Sequence, residues 1–165
     1  MYCCVMQSLR FECVWENPSA PEIPLVMGMW RTYRAIDREE MIDKRAKEIV
    51  FVIKSSQGEV AGVSTARAVR AEFLNNNFFY EFRCFIAPAF RRPGLDSLLA
   101  KKTKDFLVQQ KDSVTKFKGV LMVVENESLK KQRTKAVWPA SGMVFAGYTS
   151  KGHHIRVGYF KGARI

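Results

Sequence analysis

Apolar residues change their spacing repeatedly along this chain, and each change marks an element. A first strand is expected over roughly Cys4–Trp15, ended by the proline cluster Asn17–Pro24. Val26, Met29, Trp30, Tyr33 and Ile36 then recur at helical spacing. Met41, Ile42, Ala46 and Ile49 follow as the apolar face of a second helix. Ile49–Ile53 is a short β-branched run closed by Ser55-Ser56-Gln57-Gly58, and Val60–Ala71 continues to the turn signal Asn75-Asn76-Asn77. In Phe78–Ile86 the residues alternate: Phe78, Tyr80, Phe82, Cys84 and Ile86 take one face, and Phe79, Glu81, Arg83 and Phe85 the other. Leu95–Val108 reads as a helix with Leu95, Leu98, Leu99 and Phe106 inward. Gly119–Val124 reads as a strand buried on both faces. A lysine-rich helical piece is expected from about Ser128 to Val137. Strands Met143–Tyr148 and His154–Phe160 follow, joined at Ser150-Lys151-Gly152. The order β-α-α-β-β-β-α-β-α-β-β predicts one α/β domain over 1–165, a mixed sheet of about seven strands with helices on both faces.

The segment Phe85-Ile86-Ala87-Pro88-Ala89-Phe90-Arg91-Arg92-Pro93-Gly94-Leu95-Asp96-Ser97-Leu98-Leu99 resembles the signature of the GNAT acetyltransferase family. There an apolar-x-Pro-x-aromatic strand end leads through Arg/Gln-x-x-Gly-x-Gly/Ala into a helix. Arg91, Gly94 and Asp96 occupy those motif positions, and the element order agrees over nearly the whole chain. The resemblance implies a mostly antiparallel, twisted GNAT sheet. It also implies acetyl-coenzyme A as cosubstrate and transfer of its acyl group to an amine. The chemistry suits such a motif: a helix N-terminus leaves N–H groups unsatisfied and partly positive, and a glycine loop lets them approach a pyrophosphate. By resemblance, Arg91, Arg92, Gly94 and Leu95 hold the cofactor phosphates, and Phe85, Ile86 and Ala87 present the strand edge to its pantetheine arm. Asn126 corresponds to the asparagine of the later helix. Two residues depart from the pattern: Pro93 has no N–H to donate, and Asp96 puts a carboxylate where the family has Gly or Ala. The plain reading of Asp96 is a cap for its helix.

Amine acylation needs a group to take a proton. Glu81, on the strand before the motif, is the expected general base, although Arg83 on the same face offers an ion pair instead. Tyr80 becomes the site-facing residue if the register slips by one. The family's thiol-protonating tyrosine corresponds nearest to Trp138, which cannot supply that proton. Tyr148, Tyr159 and Ser141 are distant substitutes. Trp30, Tyr33 and Tyr148 fall where the acceptor pocket is expected. Cys84 reads as core, and His153-His154 as surface residues, since neighbours on a strand make a poor metal pair.

Charge sharpens the picture. With 47% apolar and 26% charged residues the chain is globular. Its net charge of +11 is uneven: residues 1–82 hold 10 basic and 11 acidic side chains, and residues 83–165 hold 17 and 5. The second half therefore attracts anions: a coenzyme A thioester, RNA or DNA, or an acidic protein. No metal is expected. No apolar run reaches the roughly 18–20 residues of a membrane helix. The N-terminus lacks a basic leader, and the four cysteines lack zinc spacing, which suggests a reduced, cytoplasmic setting. Lipidation of Cys3-Cys4 is a weak further reading.

Three functions compete: an acetyltransferase; a silent GNAT-fold binding or accessory protein, resembling those of phages, that uses its basic half; and a nucleic-acid binder on another α/β fold. The enzyme requires a gap between Phe78–Ile86 and Gly119–Val124 and an open helix start at Gly94. A silent protein would have Asp96 capping that helix.

Overall fold

The computed structural model describes residues 8–110 and 113–165. The start of the expected first strand, with Cys3 and Cys4, lies outside them. In chain order the elements are β1 (Arg10–Cys13), α1 (Glu22–Thr32), α2 (Glu39–Ala46), β2 (Ile49–Lys54), β3 (Val60–Ala71) and β4 (Asn77–Ile86). Then follow α3 (Leu95–Leu107), the single turn α4 (Ser113–Lys116), β5 (Phe117–Val124), α5 (Glu127–Gln132), β6 (Val137–Trp138), β7 (Met143–Tyr148) and β8 (His154–Tyr159). The eight strands pair in the order β1-β2-β3-β4-β5-β8-β7-β6. β4 and β5 run parallel, whereas β1-β2, β2-β3, β5-β8, β8-β7 and β7-β6 are antiparallel. The expected mixed, mostly antiparallel sheet is present, with one strand more than the pattern indicated. No helix among the described residues is long and apolar enough to cross a membrane.

The chain divides into two compact units, one reaching to Thr65 and including Cys84–Pro93, the other comprising Ala66–Arg83 and Gly94–Ile165. The first unit is built on the apolar stripe of α1 and α2. Val26, Met29, Trp30, Ile42 and Ala46 pack with Ile49, Val52, Val63 and Ala87. Each large side chain so buried contributes about 1.5–3 kcal/mol. α1 ends at Thr32, one turn earlier than its periodicity suggested, so Tyr33 is exposed.

In the second unit Phe79, Leu121, Ile155 and Val157 form the core. α3 buries Leu95, Leu99, Ala100, Thr103 and Leu107. Its stripe is thus rotated from the expected one: Leu98 is exposed and Phe106 half-buried. β5 and β8 approach so closely at Gly119 that a methyl there would overlap the Gly158 carbonyl. The expected helix over Ser128–Val137 stops at Gln132. Arg133 leaves helical geometry, and Val137–Trp138 pair with β7 instead. Cys84 is exposed rather than core.

Candidate active site

Within the first unit, the end of β4 is fixed by backbone pairing. The Ala87 N–H donates to the Ala61 carbonyl at 2.9 Å. The Phe85 carbonyl lies 3.0 Å from where a Cβ on Gly62 would sit, so glycine permits this approach. Strand alternation then turns the Ile86 backbone groups to the opposite edge. Of the expected edge Phe85–Ala87, Ile86 is therefore the residue whose backbone is directed away from β3. Arg91 Nε donates to the Ile86 carbonyl at 3.1 Å, reaching back over the single 3-10 turn Pro88–Phe90. Its guanidinium carbon is 6.0 Å from the centre of the Phe85 ring, on which Tyr33 also packs at 5.9 Å. Arg92 is exposed. Trp30, expected near the acceptor pocket, is 2% exposed and packs in the core of this unit.

The second unit supplies the helix start. Gly94 is in the left-handed region (φ 82°) at the N-cap of α3, with no atom within 4 Å of an added Cβ. A glycine is the residue for which that conformation costs least. No side chain among the described residues caps α3. Its first turn, beginning at Leu95, therefore keeps N–H donors and a partial positive charge. These features fit a pyrophosphate. Asp96 does not cap the helix as the plain reading held. Its carboxylate is bound by Arg133, with Nη1–Oδ2 at 2.6 Å and Nη2–Oδ1 at 3.0 Å, and Arg133 also reaches Ser97 Oγ at 3.4 Å.

The β4–β5 ladder runs Phe78↔Phe117, Tyr80↔Val120 and Glu81↔Leu121 and stops there, although β4 continues to Ile86. Glu81 stands at that last pair. Its two oxygens accept from Arg67 Nε (2.5 Å) and Arg83 Nη2 (3.4 Å). The expected ion pair with Arg83 is present, and Arg67 is its closer partner. Tyr80 is buried and stacked on Phe117 with ring centres 3.9 Å apart. Asn126 is the N-cap of α5, its Oδ1 accepting from the Leu129 N–H at 3.0 Å.

Trp138 is buried on β6, and its Nε1–H donates to the Arg133 carbonyl at 3.2 Å. Arg156, on β8, is 1% exposed. Its Nη1 donates to the carbonyls of Lys135 (2.8 Å) and Ala136 (2.9 Å), and Nη2 to that of Arg133 (3.3 Å). Its guanidinium carbon lies 4.2 Å from the Trp138 ring centre. Burial pushes the Arg156 guanidinium below its ordinary range. Of the remaining polar candidates, Tyr148 and Tyr159 are exposed and Ser141 is buried with no partner for its Oγ. His153 and His154 are half-buried. No group of three His, Cys, Asp or Glu among the described residues is arranged to hold a metal.

Arg67, Arg133 and Arg156 are the residues the sequence did not single out. The alternation of β3 could have suggested Arg67. The other two act through contacts 20 or more residues away along the chain.

No family model matches the sequence, and no curated protein matches it. Solved structures do match the fold. A GNAT-family acetyltransferase from Streptococcus agalactiae superposes with a TM-score of 0.59 at 13% identity, covering 94% of this chain and 97% of its own. Spermidine N-acetyltransferase from Vibrio cholerae gives 0.55 at 14% identity, over 92% of each chain. A GNAT-family acetyltransferase from Listeria monocytogenes gives 0.53 at 13% identity, over 93% and 95%. Element order, sheet pairing and these superpositions agree: the chain has the GNAT acetyltransferase fold.

Proposed function

We propose that the protein is an acetyl-coenzyme A-dependent N-acetyltransferase acting on an amine. The observation that carries this reading is the uncapped first turn of α3, opened by Gly94 in the left-handed conformation directly after the motif loop. The thioester supplies an activated acetyl group; the chain's residues bind, orient and move protons. The N–H groups of α3 from Leu95 onward hold the pyrophosphate, and exposed Arg92 adds attraction for it. The backbone edge at Ile86, flanked by Phe85 and Ala87, receives the pantetheine arm, for which Arg91 releases the Ile86 carbonyl. Asn126 offers its amide N–H groups, its oxygen being used in the α5 cap.

Glu81 takes the proton of the attacking amine. Both its oxygens already accept from arginine, so the proton must displace one of them. Tyr80 serves packing. The same feature supports a second reading, a GNAT-fold protein that binds without catalysis, in which Glu81 is only the centre of an Arg67–Glu81–Arg83 ion cluster.

Thiol release from acetyl-coenzyme A, measured with a panel of primary amines that includes spermidine, separates the two. The acetyltransferase releases thiol only when an amine is present, and Glu81→Gln lowers the rate about 100-fold. Binding of the thioester with no amine-dependent release supports the silent protein.

A further inference from the structure

Two of the three departures from the GNAT pattern, Asp96 in the first turn of α3 and Trp138 on β6, meet at one residue. Arg133 pairs with the Asp96 carboxylate through two nitrogens. The carbonyl of Arg133 accepts from Trp138 Nε1, and its guanidinium carbon lies 5.3 Å from the Trp138 ring centre. Arg156 takes the carbonyls of Arg133, Lys135 and Ala136 together. Residues 133–136 lie between α5 and β6; the Arg133 N–H donates to the Leu129 carbonyl and the Ala136 carbonyl also accepts from the Phe145 N–H. A guanidinium is suited to gather carbonyls in this way because its donors are fixed in a plane. Arg156 is nearly fully buried, has no carboxylate partner among the described residues, and spans the Trp138 face. Its arrangement organises the segment that delivers Arg133.

An unpaired carboxylate in the first turn of α3 would act against an anion bound at that turn. The repulsion between like charges at such range is greatest where solvent screens them least. We propose that Arg133 is a positioning residue that neutralises Asp96, so that this helix start accepts a pyrophosphate despite its acidic residue, and that Arg156 holds Arg133 in place. The proposal rests on the acetyltransferase reading for the identity of the anion. It differs from the family motif in making the site depend on a residue 37 positions away.

The test compares wild type, Arg133→Ala, Asp96→Asn and the double variant by calorimetry. Three probes are used: coenzyme A, inorganic pyrophosphate, and N,S-diacetylcysteamine, a thioester without phosphates. Lys131→Ala, at an exposed lysine of α5 two residues before Arg133, controls for the loss of one positive charge. Arg133→Ala is expected to weaken coenzyme A at least 30-fold, Lys131→Ala less than threefold. Asp96→Asn is expected to tighten it severalfold. The double variant, with the net charge of wild type, is expected to return to within threefold. Affinity for the phosphate-free thioester should not follow this pattern, whereas a merely structural role would weaken all probes alike. Equal affinity of Arg133→Ala and wild type for coenzyme A and pyrophosphate, or no rescue in the double variant, overturns the proposal. If the four proteins separate on pyrophosphate and wild type does not bind coenzyme A, the acetyltransferase reading fails while the Asp96–Arg133 pairing stands.

Discussion

Glu22 in the first unit and Arg156 in the second are both buried charges, and their surroundings differ in kind. Glu22 begins α1 and is 8% exposed; Lys54 donates to it at 3.3 Å and also lies 3.7 Å from Glu12. Burial raises the Glu22 carboxyl, but its backbone hydrogen bond and Lys54 outweigh this and hold it below the ordinary carboxylate range. Arg156 is more deeply buried and is answered by three backbone carbonyls instead of an opposite charge. The first arrangement joins α1 to β1 and β2, and each partner restrains the other. The second shapes a stretch of irregular chain, and its loss takes one donor from each carbonyl, leaving Trp138 Nε1–H on that of Arg133 and the Phe145 N–H on that of Ala136. A buried ion pair and a carbonyl-bound arginine therefore fail differently when mutated.

The largest expected effect follows from Arg156. Arg156→Leu removes three hydrogen bonds made by a charged, buried donor and is expected to cost about 3–5 kcal/mol in urea unfolding. Arg156→Lys recovers little, because an ammonium cannot span the three acceptors in a plane. Full recovery by lysine would show that charge alone matters there and would remove the contrast with Glu22.

A smaller effect is expected at the ion pair. Lys54→Met strands a buried carboxylate and should cost about 2–3 kcal/mol, while Glu22→Gln with Lys54→Met costs less than the sum of the two single changes. The acid response carries the same signature. Glu22 ionises below its unfolded value of 4.5, so its contribution is complete above that pH and is lost as pH falls through the lower folded value. Glu22→Gln should flatten that part of the stability profile below pH 4.5. Arg156 is charged throughout this range, and Arg156→Leu should leave the slope unchanged.

The legible and illegible parts of this fold have different physical origins. Local rules dictated Phe85–Leu99: alternation ends at Pro88, Gly94 admits the left-handed turn, and an amphipathic helix follows. The hairpin at Ser150-Lys151-Gly152 was equally local, with Gly152 at φ 76° and Thr149 pairing with His153. β6 was hidden because two residues carry no period, and because Lys130-Lys131 favoured continuing the helix. Its strand state comes from pairing with β7. Asp96 looked like a helix cap because capping is the local role of aspartate. Its actual partner arrives from the far end of α5. Arg156 sits between Ile155 and Val157, and no local pattern marks it. β8 is flanked by β5 and β7, and all three residues are buried.

The central claim is that the helix start at Gly94 receives the phosphates of an acyl-coenzyme A. Calorimetric titration of the wild-type chain with acetyl-coenzyme A, at low and at moderate salt, tests it most directly. One-to-one binding in the micromolar range is expected at both salts, weakened by Gly94→Val, which strains the left-handed turn. No binding at either salt would contradict the account and leave the GNAT fold as a scaffold for another use of the basic second half.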